Sequence, residues 1–197
     1  MIAILLLAAG SSTRMRGSDK LLETVAGQPL LKLMAMRALR CRVPVIVTLP
    51  PSPHPRAAIL TETPVARIAV PDADQGMSAS IRAGVSALTP DVTGVMIVPA
   101  DMPEVDATDM QAMIDAYRPG EILRGAGGDG TPGHPVIFPR DLFEELAQIS
   151  GDIGARDVLV RHRARLRLHP LPGTHAVTDL DTPEDWETWR ARQSDTR

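Results

Sequence analysis

The chain has 197 residues, of which 44% are hydrophobic and 23% are charged, and its net charge at pH 7 is −3. This length and composition are typical of one globular domain and exclude a disordered or collagen-like chain. The acidic net charge argues against a general nucleic-acid or membrane-surface binder, because both need an excess of basic residues. We therefore expect a single domain over residues 1–197, with small-molecule partners, no nucleic acid and no membrane.

Strands and helices alternate through the first two-thirds of the chain. Continuous apolar runs predict buried strands, and apolar residues spaced three and four apart predict helices. The predicted order is a strand at 2–7, a helix at 29–39, strands at 44–49 and 65–70, a helix at 78–88, a strand at 94–100 and a helix that contains Met110, Met113, Ile114 and Tyr117. This alternation predicts a single-domain α/β fold, a Rossmann-like, doubly wound and mostly parallel sheet.

The last third of the chain is less regular. Its predicted elements are a strand at 135–138, a helix around 142–149, another helix after Gly151, a strand at 164–169 and a helix from Thr182 to about Arg192. Arg163, Arg165 and Arg167 alternate with apolar residues. This pattern indicates either an edge strand with a charged outer face or an anion-facing surface. The proline-rich residues 50–55 predict a surface loop in which His54 is solvated.

Cys41 is the only cysteine, so an intramolecular disulfide is impossible and a buried core thiol is the expected role. The first apolar run, at 2–9, has no basic leader and is too short for a signal peptide. No apolar stretch reaches the length of a membrane span. These features predict a cytoplasmic protein.

The strongest local signal is the small-residue loop that follows the first strand, at residues 7–15. In an open α/β sheet, ligands bind beyond the carboxyl ends of the strands. Small residues such as Gly10 let backbone amides approach a phosphate, while Arg14 and Lys20 can neutralise its oxygens. The spacing matches neither a Walker loop nor a dinucleotide fingerprint. The loop therefore predicts a polyphosphate site, and the alternative is a tight turn with two incidental surface cations.

A second signal is Asp101, which directly follows the predicted strand at 94–100. A carboxylate at this end of a strand faces the same crevice as the loop, where Mg²⁺ accompanying a nucleotide needs an oxygen ligand. An aspartate before a proline turn is equally a turn former, so both interpretations stay open. Asp179 and Asp181 are candidates for a second metal ligand, although helix capping accounts for one of them.

A third region is Gly133-His134-Pro135, which is either a turn that enters a strand or a ligand contact. The sequence contains no G-x-S-x-G element of a serine hydrolase and no His-rich zinc spacing.

Six segments together resemble the MobA-like nucleotidyltransferase family, and in particular its molybdenum cofactor cytidylyltransferases. They are residues 7–15, 20–22, 75–84, 133–138, 151–156 and 179–185. They occur in order over nearly the whole chain, which is more specific than any one of them. Two departures are Arg16, which stands before Gly17, and Ala100, where members often have glycine.

The resemblance implies an Mg²⁺-dependent transfer of CMP from CTP to Mo-molybdopterin, with release of pyrophosphate. A transient contact with a molybdoenzyme or its maturation chaperone is a further implied partner. Arg14, Lys20 and Asp101 are the implied catalytic residues, and Asp101 and Asp181 the implied metal ligands. The implied binding residues are Leu7, Ala8, Ala9, Gly10 and Ser11 for the triphosphate, Gly76 and Ser78 for the nucleoside, and Gly133, His134 and Pro135 with residues 151–156 for the pterin.

No general base is needed for such a reaction, because the second pKa of a phosphate monoester is about 6 and the attacking group is largely dianionic. Two alternatives remain open. One is a guanylyltransferase or another nucleotidyltransferase of the same fold, although Ala9, where guanylyl enzymes usually have glycine, favours cytidine. The other is a non-catalytic nucleotide or cofactor carrier, against which the retention of Arg14, Lys20, Asp101 and Asp181 argues.

Overall fold

A computed structural model of the chain describes residues 1–151 and 154–195. Its strands are Ile2–Leu7 (β1), Thr24–Val25 (β2), Gln28–Pro29 (β3), Val45–Leu49 (β4), Ala66–Ala69 (β5), Gly94–Pro99 (β6), Ile122–Ala126 (β7), Pro132–Pro139 (β8) and Leu166–Pro170 (β9). Its α-helices are Leu30–Arg40 (α1), Pro55–Ala58 (α2), Met77–Ser86 (α3), Ala107–Ala116 (α4), Phe143–Leu146 (α5), Arg156–Arg161 (α6) and Pro183–Asp195 (α7).

The main sheet has seven strands in the order β5-β4-β1-β6-β8-β7-β9. Strands β5, β4, β1 and β6 are parallel neighbours, β7 is parallel to β9, and only β8 runs antiparallel to the strands beside it. The short strands β2 and β3 form a separate hairpin. This topology confirms the predicted α/β fold with a mostly parallel sheet.

Both faces of the sheet are covered, as expected for a strand that is apolar throughout. Ile4 and Leu6 of β1 belong to one core with residues of α1, α4 and α7, whereas Leu5 and Leu7 belong to a second core with residues of α3, α5 and α6. Successive side chains of a strand point to opposite faces, so one uninterrupted apolar run supplies both cores. The sheet is therefore doubly wound.

Helix boundaries follow the chemistry of their first turns. At the start of α4, the Asp106 carboxylate accepts from the backbone N–H of Asp109, and Asp109 returns a bond to the backbone of Asp106. The same reciprocal arrangement joins Thr182 and Asp185 at the start of α7. Such capping boxes satisfy backbone donors that have no partner inside the helix. The capping role predicted for Thr182 is confirmed.

The last third departs from the predictions. Strand β7 was not predicted, because Arg124 and Gly125 interrupt its short apolar run. The predicted helix at 142–149 is a 3₁₀ turn followed by the single-turn α5. The edge position of β9 is confirmed, but β9 begins only at Leu166, and the three preceding residues form another 3₁₀ turn.

The alternative of an anion-facing arginine surface finds no support at two of its three arginines. Arg165 pairs with Asp141 (2.8 Å), and Arg167 pairs with Glu121 (2.9 Å). Their charges are already matched by carboxylates of the same chain.

Two further expectations concern burial and membranes. Cys41 is buried as predicted, and burial raises the pKa of its thiol to about 11. No α-helix within residues 1–151 and 154–195 combines the length and the apolar character that a membrane crossing requires.

Gly133 is held by close packing of β8 against the chain near Ala176. The N–H of His134 donates to the Ala176 carbonyl (2.8 Å), and a Cβ added to Gly133 would lie 1.8 Å from that same oxygen. Gly10, by contrast, has nothing within 4 Å of an added Cβ.

We expect Gly133→Ala to lower the free energy of unfolding by about 3 kcal/mol. The new methyl group would overlap the backbone carbonyl of Ala176, which cannot move aside as a flexible side chain can. Gly10→Ala, the matched control, should change it by less than about 0.5 kcal/mol. Urea denaturation measures both. Equal stability of the two variants would show that this contact does not constrain residue 133.

Candidate active site

The site begins where β1 and β6 lie side by side. Leu7 is in register with Pro99, and the Ala100 N–H donates to the Leu7 carbonyl (3.1 Å). The small-residue loop at residues 7–15, which contains Gly10 and which we call the glycine-rich loop, and Asp101 therefore leave the sheet from adjacent positions at the same edge. This arrangement is the one expected for ligand sites at the carboxyl ends of parallel strands.

Arg56 holds the loop in place, although no motif in the sequence selects it. Its side chain is 2% exposed. The guanidinium donates to the carbonyls of Ala8 (2.7 Å) and Gly10 (2.6 Å) and to Ser12 Oγ (2.8 Å). Two further bonds of 2.7 Å reach the Asp19 carboxylate. One buried cation thus ties the start of the loop to the residue just before Lys20.

The segment that carries Arg56 is the proline-rich stretch. Residues 50–54 form a loop as predicted, but α2 begins at Pro55. His54, predicted to be solvated, instead accepts from the backbone N–H of Arg56 (3.2 Å) and caps this turn of helix. A proline at the first position is compatible with a helix start, because its missing N–H would have no partner there. In the sequence, a single arginine that follows several prolines looks the same whether it is buried in the fold or lies on the surface.

Lys20 joins two carboxylates from distant parts of the chain. Its ammonium group donates to Asp101 Oδ2 and to Asp181 Oδ1 (2.6 Å), and Arg14 pairs with the other oxygen of Asp181 (2.8 Å). Burial lowers the pKa of Lys20, but the charges and hydrogen bonds of Asp101 and Asp181 outweigh it and raise the pKa overall. Lys20 is therefore charged, and the predicted residues Arg14, Lys20, Asp101 and Asp181 lie together.

The carboxylates are suited to a divalent cation shared with a ligand. Asp101 Oδ1 is buried and has no hydrogen-bond partner within the described chain. Asp179 lies nearby, and burial, followed by the negative charge of Asp101, raises its pKa. In residues 1–151 and 154–195 no group of three His, Cys, Asp or Glu side chains could hold a metal by itself. Mg²⁺ commonly uses one or two carboxylates together with substrate phosphates, which fits this donor set.

Two adjoining cavities meet at these residues. The first, the loop cavity, has a volume of about 450 Å³ and lies between the glycine-rich loop and residues 73–80. The second, the acidic cavity, has a volume of about 390 Å³ and is lined by Asp101, Asp179 and Asp181. Arg14, Lys20 and Asp101 line both. A ligand in one cavity would therefore contact the same charged groups as a ligand in the other.

Most predicted site residues line one of these cavities. The loop cavity contains Leu7, Ala8, Gly10, Ser11, Arg14, Lys20, Gly76 and Asp101. The acidic cavity contains Gly133, His134 and Asp181. Burial, followed by the nearby charge of Arg124, lowers the pKa of His134 to about 4, so its imidazole is neutral at pH 7.

Three predicted residues do not line these cavities. Ala9 packs with Val70 and Ala79, and Pro135 is buried within β8. Ser78 is fully buried, and its helical neighbour Ser80 lines the loop cavity instead. The expected placement of Ser78 beside the nucleoside therefore needs correction. Of the predicted pterin segment 151–156, residues 152 and 153 lie outside the described residues.

A glycine-rich loop that faces a carboxylate at the carboxyl edge of a doubly wound sheet is the arrangement expected of a nucleotide-binding site. Residues 4–166 match the MobA-like NTP transferase domain, and the chain belongs to this family. It is a nucleotidyltransferase, as the sequence predicted.

The name of one relative agrees with this class. The chain is 29% identical to a protein of Natronomonas pharaonis named probable molybdenum cofactor guanylyltransferase, over 96% of both chains. It is 34% identical over 60% of its length to the bifunctional protein GlmU of Leifsonia xyli subsp. xyli, but it spans only 25% of that protein.

Solved structures confirm the fold. The crystal structure of Rv0371c from Mycobacterium tuberculosis H37Rv superposes with a TM-score of 0.82 at 27% identity, over 95% of this chain and 96% of that one. Rv0371c in complex with manganese gives a TM-score of 0.79 at 26% identity, with the same coverage.

We expect Arg56→Met to lower the free energy of unfolding by roughly 3–5 kcal/mol, because it leaves the Asp19 carboxylate and two loop carbonyls without their buried partner. Urea denaturation measures the loss. The control is Arg67→Met on the exposed edge strand β5, which should change stability by less than about 0.5 kcal/mol. A loss of similar size in both variants would contradict a specific role for Arg56.

Proposed function

We propose that this nucleotidyltransferase transfers CMP from CTP to the phosphate of Mo-molybdopterin, forming the cytosine dinucleotide of the cofactor and pyrophosphate. The observation that carries this proposal is the convergence of Arg14, Lys20 and Asp101 on two adjoining cavities. One cavity has the glycine-rich loop that a triphosphate needs, and the other provides room for an acceptor beside it.

The loop cavity is the proposed donor site. Backbone of Gly10 and Ser11 lies on one side of it, and Arg14 and Lys20 supply two positive charges. Exposed loop amides and cations are the usual ligands of a polyphosphate. The opposite wall, residues 73–80, contributes Asp74, Gly76 and Ser80, and we assign the nucleoside to it. The backbone of this loop is held in advance by Arg56, which reduces the entropy lost on binding.

We propose Mg²⁺ as the cofactor, held by Asp101 and Asp181. The free Oδ1 of Asp101 supports this assignment, as does the manganese complex of Rv0371c. When bound, the cation would neutralise charge on the phosphate oxygens. The two carboxylates share Lys20, so phosphate oxygens that enter the loop cavity would compete with them for its ammonium group.

The reaction needs positioning and charge neutralisation rather than a base. An oxygen of the acceptor phosphate forms a bond to the α-phosphorus of the nucleotide, while the bond from that phosphorus to the oxygen bridging the β-phosphorus breaks. Pyrophosphate leaves with the electron pair of that bond, and Arg14 and Lys20 stabilise its charge. The acceptor phosphate is already largely dianionic, since its second pKa is about 6. His134, which is neutral, has no required part in proton transfer.

GTP is a second candidate donor. The guanylyltransferase name of the Natronomonas pharaonis relative favours it. The resemblance of residues 75–84 and 133–138 to cytidylyltransferases favours CTP, but the methyl group of Ala9 packs against Val70 and Ala79 and so has little direct influence on the base. The comparisons give no support to the expected contact with a molybdoenzyme or its chaperone.

The experiment that tests the proposed function is pyrophosphate release from CTP, and separately from GTP, with Mg²⁺ and molybdate-loaded molybdopterin. We expect pyrophosphate release with CTP and none with GTP. Release with GTP and none with CTP would contradict cytosine as the base but would still support Mo-molybdopterin as the acceptor. Absence of release with both nucleotides would contradict Mo-molybdopterin as the acceptor.

We expect Asp101→Asn to reduce turnover by roughly 100-fold or more, because it removes a carboxylate ligand of the proposed Mg²⁺, which would neutralise charge on the reacting phosphates. Circular dichroism and urea denaturation should show an intact fold. Asp115→Asn, on the exposed face of α4, serves as the control and should retain activity. If Asp101→Asn kept the turnover of the wild type, Asp101 would not be a ligand of the metal.

A further inference from the structure

A third cavity adjoins the acidic cavity, and Met77 lines it together with the acidic and loop cavities. Its volume is about 460 Å³, and it shares Arg124 and His134 with the acidic cavity. Most of its wall is apolar, formed by Ile81, Ile97, Val136, Phe138 and Leu159. We call it the apolar cavity. Its charged groups are Arg124, at the junction with the acidic cavity, and Arg156.

Within the described chain, the hydrogen-bond partners of the Arg124 guanidinium are backbone carbonyls. Its Nε donates to the Gly133 carbonyl (3.0 Å) and its Nη2 to the Pro132 carbonyl (3.3 Å). No carboxylate within residues 1–151 and 154–195 forms an ion pair with it, in contrast to the surface arginines Arg165 and Arg167. Burial lowers the pKa of Arg124, and the positive charge of Arg156 lowers it further.

This arrangement is unfavourable unless an anion binds there. The two carbonyl bonds replace only part of the hydration that the half-buried Arg124 guanidinium loses, and a second guanidinium nearby adds repulsion. Guanidinium groups, however, bind phosphates through two parallel hydrogen bonds and tolerate loss of water better than ammonium groups do.

The carboxylates of the neighbouring acidic cavity would repel an acceptor phosphate unless a positive group lay beside it. An acceptor phosphate that approaches the α-phosphorus must pass Asp101, Asp179 and Asp181, which line that cavity. Like charges repel, so a dianionic phosphate needs a positive group on its own side of the site. Arg124 lines the acidic cavity as well as the apolar one and is in position to supply that charge.

We propose that Arg124, assisted by Arg156, binds the attacking phosphate of the acceptor, and that the apolar cavity receives the ring system to which this phosphate is attached. The inference rests on the proposed function and assigns to it a determinant of acceptor choice. The acceptor class is a phosphate monoester of a flat heterocycle whose faces pack against the apolar walls. His134 adds a neutral hydrogen-bonding group, since its Nδ1 is buried without a partner in the described chain.

The test is direct binding, measured without turnover. The probes are the phosphate monoester of 6-hydroxymethylpterin, free 6-hydroxymethylpterin and glucose 1-phosphate, followed by pterin fluorescence or by calorimetry. Arg124→Gln should weaken binding of the pterin phosphate about 10- to 100-fold, the usual worth of hydrogen bonds to a charged group. Binding of the unphosphorylated pterin and of CTP should change less than about twofold.

Two further variants keep the test specific. Arg124→Lys retains the charge but loses the planar fork, and it should restore part of the affinity. Arg163→Gln, an exposed arginine in the 3₁₀ turn before β9, should bind all probes as the wild type does. Thermal unfolding of each variant establishes that the fold is intact, and Arg124→Lys replaces Arg124→Gln if the latter does not fold.

The outcomes separate this inference from the function on which it rests. Equal binding of the pterin phosphate by wild type and Arg124→Gln would overturn the inference, as would a wild type that binds neither phosphate ester. Arg124-dependent binding of glucose 1-phosphate alone would support the anion site and overturn both the ring assignment and molybdopterin as the acceptor. Arg124-dependent binding of the pterin phosphate supports both proposals.

Discussion

The parallel pairing of β1 with β6 is the constraint on which the site depends. These strands are separated by most of the first half of the sequence, yet Leu7 and Pro99 end in register. Because both strands leave the sheet at the same edge, the glycine-rich loop and Asp101 start from neighbouring positions. Lys20 then reaches back to Asp101 and to Asp181 near the C-terminus, and so three remote segments meet around one ammonium group.

Two arginines near the site differ in their partners. Arg56 has a carboxylate, a hydroxyl and two carbonyls as partners and acts on the shape of the loop. Arg124 has only carbonyl partners and faces two cavities. A guanidinium whose charge is balanced inside the fold stabilises structure, whereas one whose charge is not balanced is available to a ligand. The two also differ in burial, since Arg56 is fully buried and Arg124 is half-buried.

Much of the candidate site could be predicted because its residues follow strand ends directly. Gly10 and Asp101 come just after the two most apolar runs of the chain, and their place at the sheet edge follows from that order. Ser78 and Ala9 were harder to place, since a one-residue change in position along a helix or loop decides between cavity and core. Ser80, two residues further along α3, lines the cavity that Ser78 does not.

The sequence by itself determined the α/β fold, the two apolar strands at the centre and the family, because periodicity and local motifs are properties of short segments. It also determined the start of α7, which a capping box specifies locally. Only the tertiary structure decided that β7 pairs with an antiparallel β8, that Arg56 supports the loop and that Arg124 lies between two cavities. These depend on contacts between residues far apart in the chain, and a lone arginine looks the same in sequence whether its partner is water, a carboxylate or a ligand.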